Sequence, residues 1–237
     1  MTAYSQSRRC RITRTKPLTL DTDGAQLHRH FVTAAALTVL EGHSGLADDR
    51  PAGVRISRNP SLALWLVDHG LVALAARTIG ASARPVRAIL FDKSADKNWA
   101  LGWHQDRTIA VHDRAEVAGF GPWSRKAGIV HVEPPFAIIE GMLTARIHLD
   151  PVPANGAPLV VAPGSHRAGK VLESEIDTLV ARCGRFPCLA DAGDTWLYRT
   201  AILHASPASA HCGSRRVLQV DFAAIDLPDP LRWLGIE

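Results

Sequence analysis

The chain has 237 residues, 46% hydrophobic and 21% charged, with a formal net charge of +4 and a pI near 9.1. That length suits one large domain with a sizeable core. Its four cysteines (Cys10, Cys183, Cys188, Cys212) contain no C-x-x-C pair, which argues against a zinc ribbon or a secreted disulfide scaffold. The basic excess does not point to nucleic acid, because Arg8, Arg9, Arg11, Arg14 and Lys16 crowd into what reads as a solvated, flexible arm over residues 1–20. No apolar region follows Arg8-Arg9, so no export signal is expected. The most hydrophobic stretch, Ser61 to Ile79, is broken by Asp68, His69, Gly70 and Arg77, so no membrane span is expected either. The expected location is the cytoplasm.

Residues 21–85 read as a helical front. A helical pattern runs from Asp23-Gly24 to Leu40, with Leu27, Phe31, Ala34 and Leu37 at three- and four-residue spacing. Asn59-Pro60 is an N-cap followed by proline at the first helical position, opening a buried helix to Gly80 that breaks near Gly70. After Pro85 the pattern turns to short strands. Val86 to Phe91 is an apolar run. Met142 to Asp150 alternates, with Leu143, Ala145, Ile147 and Leu149 on one face and Thr144, Arg146 and His148 on the other. Leu159 to Ala162, Thr195 to Tyr198 and Arg215 to Phe222 are further strands, with a helix over Glu173 to Arg182 between them. Short strands after helices suggest a single domain, mostly β with N-terminal helices (α+β), built on a double-stranded β-helix or jelly roll of the cupin-like kind. The core covers 86–224 and a tail 225–237. Asp113 to Pro135, with Phe120 and Trp123, reads as a long structureless loop, a lid or else a fixed excursion packed by its aromatics.

Eleven histidines are too many to interpret singly, so spacing must select among them. In Trp103-His104-Gln105-Asp106 an imidazole and a carboxylate leave the same face of an extended chain, and a histidine from a distant strand would complete a facial triad suited to ferrous iron. His148-Leu149-Asp150 has the same spacing. It runs straight into Pro151-Val152-Pro153, which favours the first pair, and spacing alone leaves both open. Trp99 and Trp103 flank the segment, as core residues or as a stacking surface.

The back half resembles the phytanoyl-CoA dioxygenase family. The matching pieces, in order over roughly 86 to 224, are Trp103-His104-Gln105-Asp106, Asn155-Gly156, Pro163-Gly164-Ser165-His166, Gly193-Asp194, His204-Ala205-Ser206 and Ser214-Arg215-Arg216. The resemblance implies an iron(II)- and 2-oxoglutarate-dependent dioxygenase with dioxygen as the other co-substrate. Its pattern makes His104, Asp106 and His204 the metal ligands and demotes His148/Asp150. It sets Arg215 on the far carboxylate of 2-oxoglutarate and gives Ser206 a co-substrate contact or a plain turn role before Pro207. Arg216, one residue on in a strand, should face away. Arg146 lies where the family often has an aromatic co-substrate contact. As an arginine it could serve the co-substrate, an anionic group of the substrate, or a buried ion pair. With aspartate in the triad, hydroxylation of a small-molecule metabolite or natural-product intermediate, with release of succinate and CO2, is the default over halide transfer. The alternatives are a jelly-roll metalloenzyme that uses no 2-oxoglutarate and a non-catalytic binding module.

Overall fold

The computed structural model describes residues 16–42, 53–93, 98–208 and 215–236; Arg8 to Arg14, Cys10, Cys212 and Ser214 lie outside them. A six-stranded antiparallel sheet has the order β1-β11-β8-β13-β3-β2, formed by β1 (Ala25–His28), β2 (Gly53–Ile56), β3 (Arg84–Lys93), β8 (Leu143–His148), β11 (Thr195–Arg199) and β13 (Arg215–Ala223). A four-stranded sheet has the order β10-β9-β12-β4, from β4 (Leu101–His104), β9 (Leu159–Val161), β10 (Phe186–Cys188) and β12 (His204–Ser206). A third sheet, β5-β7-β6, comes from β5 (Ile109–Val111), β6 (Trp123–Lys126) and β7 (Ile129–Val132). The mostly β, jelly-roll architecture expected from the strand spacing is present.

Alternation along the strands of the large sheet decides where the helices go. Ala88, Leu90, Leu143, Ala145, Ile147, Leu197, Leu218 and Val220 point to one face and share a core with Leu37, Leu40, Leu62, Leu66, Leu71 and Leu74. Those leucines belong to α2 (Ala34–Glu41), α3 (Pro60–Asp68) and α4 (Leu71–Ile79). Thr33 caps α2 by accepting from the Ala36 N–H at 3.2 Å, and Asn59 Oδ1 caps α3 by accepting from the Leu62 N–H at 3.0 Å. Gly70, at φ 76°, separates α3 from α4, which bend by 72°. Among the described residues no single helix is long and apolar enough to cross a membrane.

Three sequence expectations need correction. The helical pattern from Asp23 to Leu40 is interrupted: α1 (Leu20–Asp23) ends at Gly24, and Ala25–His28 pairs as a strand with Thr195–Tyr198. Gly24 has φ 77°, and a Cβ there would lie 2.2 Å from His166 Nδ1, so only glycine allows this turn. Leu18 and Leu20 are buried, so packed chain begins inside the expected arm. Second, the helical front contains the edge strand β2, stabilised by pairing with β3 rather than by its own pattern. Third, 113–135 is not structureless. It supplies β6 and β7, joined by Ala127-Gly128 with both residues at positive φ, as a two-residue hairpin turn requires. Phe120 and Trp123 pack against a core of Ile109, Val111, Val132 and Ile139. The C-terminal segment packs too: Trp233 bridges to Val111, and the Ile236 carbonyl accepts from the Asn59 N–H at 2.6 Å.

Candidate metal centre

Residues opposite one another in an antiparallel ladder share a face. The registers Thr144↔Asp221↔Arg87, Arg146↔Gln219↔Ile89↔Arg55 and Arg215↔Lys93 therefore put these side chains together on the face turned away from the helices. That face and the small sheet line a cavity of about 530 Å³.

His104 and Asp106 reach this cavity because the intervening Gln105 is fastened on the other side. Its Nε2 donates to the carbonyls of Ala201 at 2.8 Å and Gly169 at 3.0 Å, and its Oε1 accepts from the Val171 N–H at 2.9 Å. His204 is paired directly with His104 across β12 and β4, and the imidazole centroids lie 4.3 Å apart. Ser165 Oγ accepts from the Leu203 N–H at 2.9 Å and so fixes the residue before His204. One ligand atom from each of His104, Asp106 and His204 lies within 4.8 Å of the others.

The hydrogen bonds orient the rings. His104 Nδ1 faces the Gly102 carbonyl at 2.8 Å and His204 Nδ1 faces the Ile202 carbonyl at 3.0 Å, an arrangement that protonates Nδ1 and leaves Nε2 with its lone pair. Burial, then His104 beside it, pushes His204 down to about 4, so the imidazole is neutral at pH 7. Burial works against the Asp106 charge, but Arg87, then His204 and His104, hold that carboxyl below the usual range. Arg87 Nη2 reaches Asp106 at 3.5 Å while its Nε donates to the buried Asp221. Two imidazoles with Nε2 turned to the cavity and one carboxylate fit a ferrous ion with free coordination positions.

The cavity is cationic beside Ser206. Lys93 Nζ donates to Ser206 Oγ and the Trp99 carbonyl at 2.8 Å each and lies 4.6 Å from the Trp99 ring centroid. Burial, then Arg215 and Arg146, pushes Lys93 down to about 8. Arg215 donates through Nη1 to the carbonyls of Gly156 and Ala157, and its buried Nε has no partner among the described residues. Arg146 donates to Gln219 Oε1 at 2.8 Å and lies over Phe91. Among the described residues it has no carboxylate partner to form the buried ion pair.

The other H-x-D pair comes apart. Asp150 accepts from Arg216 Nε at 2.9 Å and Nη2 at 2.7 Å, and Arg216 also reaches Glu41 at 2.7 Å, outside the cavity. His148 is buried and held below its usual range first by burial and then by Arg146 and Arg215. Gly193-Asp194 is structural. A Cβ on Gly193 would lie 2.3 Å from the Val32 carbonyl, and Asp194 accepts from the His30 and Asp191 N–H groups at 2.7 and 3.0 Å. Trp103 packs with Leu179, Val180 and Leu203 as a core residue, whereas Trp99 lines the cavity.

The family model for phytanoyl-CoA dioxygenase (PhyH) matches residues 61–217, about two thirds of the chain. The chain belongs to this family. No curated protein matches it in sequence. Among solved structures, EctD from S. alaskensis with 2-oxoglutarate and 5-hydroxyectoine is 17% identical, with a TM-score of 0.67 over 92% of this chain and 77% of that one. The non-heme alpha-ketoglutarate-dependent carbocyclase SnoK from nogalamycin biosynthesis is 16% identical, with a TM-score of 0.61 over 92% and 85%. HygX from Streptomyces hygroscopicus with nickel, 2-oxoglutarate and hygromycin B is 15% identical, with a TM-score of 0.54 over 86% and 84%. At these identities the likeness is one of fold, and family membership makes the chain an oxidoreductase of the dioxygenase group.

The sequence reading missed Arg87, Lys93 and Gln219. Arg87 is hidden in a run taken as apolar, and its partner Asp221 is 134 residues away. The only available signal was the alternation Arg87, Ile89, Phe91, Lys93 along one strand face.

Proposed function

We propose that the protein is an iron(II)- and 2-oxoglutarate-dependent dioxygenase that hydroxylates a small-molecule metabolite or natural-product intermediate. The observation that carries this reading is the gathering of His104, Asp106 and His204 at a cavity whose Ser206 side holds Arg215, Lys93 and Arg146 with no carboxylate among the described residues. Solved relatives in fold include EctD with bound Fe and HygX with nickel and 2-oxoglutarate.

In this reading His104, Asp106 and His204 hold the metal, and Arg87 keeps Asp106 ionised and aimed. The unpartnered edge of Arg215 takes the far carboxylate of 2-oxoglutarate, since a guanidinium fork matches both oxygens of a carboxylate. Lys93 adds charge beside it and holds Ser206 in place. Arg146 completes the cationic wall and is itself set by Gln219. Bound iron would supply the dioxygen chemistry that the side chains lack, coupling oxidation of substrate to conversion of 2-oxoglutarate into succinate and CO2. The protein contributes placement and the exclusion of water, with Trp99, Phe91 and Leu159 as apolar wall.

A panel of metabolites screened by succinate formation, followed by mass spectrometry of the product, tests the proposal. Substrate-stimulated succinate with a gain of one oxygen is the expected result. Stimulated succinate with no added oxygen would replace hydroxylation by desaturation, cyclisation or epimerisation. No succinate from any compound, with none from 2-oxoglutarate alone, would count against the dioxygenase reading.

A further inference from the structure

Asp106 is the single acidic residue on the cavity wall among the described residues, and, apart from Arg87 paired with it and Arg107 donating to the Val171 carbonyl, the cations there fall into two groups. One is Lys93, Arg146 and Arg215, already assigned to 2-oxoglutarate. The other is Arg55 and Lys126, next to Arg87. β4 runs from Leu101, which pairs with Ser206, through His104 toward Asp106. Lys93 is bonded to Ser206, and Arg87 reaches Asp106. The ligand histidines therefore lie between the two cationic groups. Arg55 pairs with Ile89, four residues along β3 from Lys93 and so about 13 Å from it along the strand. One 2-oxoglutarate with its keto-acid end on the metal and its other carboxylate at Arg215 leaves the second group uncovered.

On the Asp106 side, Arg87 differs from its neighbours Arg55 and Lys126 in how its charge is balanced. Arg87 has Asp221 and Asp106. Arg55 and Lys126 have no carboxylate within ion-pair distance among the described residues, and Arg55 Nε is buried without a partner. Partial burial and the neighbouring guanidiniums act against the charge of both, Arg87 on Arg55 and Arg55 with Arg87 on Lys126, where Asp106 offsets them only in part. Lys126 comes from the tip of the β6–β7 hairpin and Arg55 from the sheet edge, so two separate elements bring like charges to one place. Such an arrangement is unfavourable until an oxyanion joins it.

We propose that Arg55 and Lys126 form an anion subsite for the prime substrate, which therefore carries a carboxylate or phosphate group held on the Asp106 side of the metal. This rests on the oxygenase reading of the cavity. Arg55 offers a planar fork to two oxygens and Lys126 a mobile point charge at the mouth.

The test loads the full-length protein anaerobically with iron(II) and 2-oxoglutarate, then titrates inorganic phosphate and, separately, benzoate by calorimetry. Saturable binding of at least one probe is expected, weakened tenfold or more by Arg55→Gln and by Lys126→Gln, with the visible band of the iron–2-oxoglutarate complex retained in both. Lys126 is exposed, so its variant does not disturb the core. The tighter probe names the class, phosphate ester or carboxylate. A retained band with no saturable binding of either probe, or with binding that neither variant weakens, overturns the subsite. Absence of the band in the unaltered protein overturns the oxygenase reading instead, and probe binding that still falls in both variants would then support the subsite alone.

Discussion

His104 and His204 both turn Nδ1 to the carbonyl two residues upstream, so the strand backbone itself leaves both Nε2 atoms available to the proposed metal. His104→Ala or His204→Ala should abolish iron binding while leaving the fold largely intact, and His148→Ala should leave iron affinity near that of the unaltered protein, measured by equilibrium metal titration. Loss of metal on changing His148 alone would exchange the roles of the two H-x-D pairs. Arg215→Ala should weaken 2-oxoglutarate binding by about 2–5 kcal/mol, as for truncation of one partner of a buried charge pair. Arg216→Ala should leave that affinity unchanged and lower stability by about 1 kcal/mol through loss of Asp150 and Glu41. Lys93, pushed down to about 8, is charged below that pH and neutral above it. Affinity for 2-oxoglutarate should therefore fall as pH rises through about 8, and Lys93→Met should flatten this dependence in a calorimetric pH series. The contrast between Arg215 and Arg216 was legible from the sequence because a strand alternates. Lys93 was not legible, because its role arises only from a ladder that brings it opposite Arg215.

At the scale of elements, the segments that aim the ligands are fixed by buried polar contacts rather than by apolar packing alone. Ser165→Ala would leave the Leu203 N–H without its acceptor next to His204, which should cost about 1–3 kcal/mol in denaturant unfolding and also lower metal affinity. The β6–β7 hairpin is paired on both sides of β7 and packed by Phe120 and Trp123. Amides of Ile129 to Val132 that enter the ladder should thus exchange slowly in the metal-free protein; fast exchange there that slows on loading would restore a lid. The Asn59 cap and the break at Gly70 were legible because they depend on local chemistry. The split of the first helical pattern into α1, β1 and α2 was not. It depends on His166 closing over Gly24 and on pairing with β11, contacts far away in the chain. The hairpin was missed for a related reason: β6 (Trp-Ser-Arg-Lys) has little apolar content, and its partner strand supplies the stability.

Across the whole molecule, the large sheet separates stability from chemistry. Its outer face is aliphatic and holds the helices, whereas its inner face carries Arg55, Arg87, Lys93, Arg146 and Arg215 at the cavity. A fold can keep so many buried and half-buried cations only where the other face supplies a continuous apolar core, and Leu66, fully buried in it, should cost about 2–5 kcal/mol on truncation to alanine. The central claim is that the cavity between this face and the small sheet holds iron through His104, Asp106 and His204 and 2-oxoglutarate through Arg215. Anaerobic addition of 2-oxoglutarate to the iron(II)-loaded protein, followed by visible absorption, tests it most directly. A charge-transfer band that saturates with one 2-oxoglutarate per chain is the predicted result. Iron bound at one per chain with no band at any 2-oxoglutarate concentration would contradict the claim.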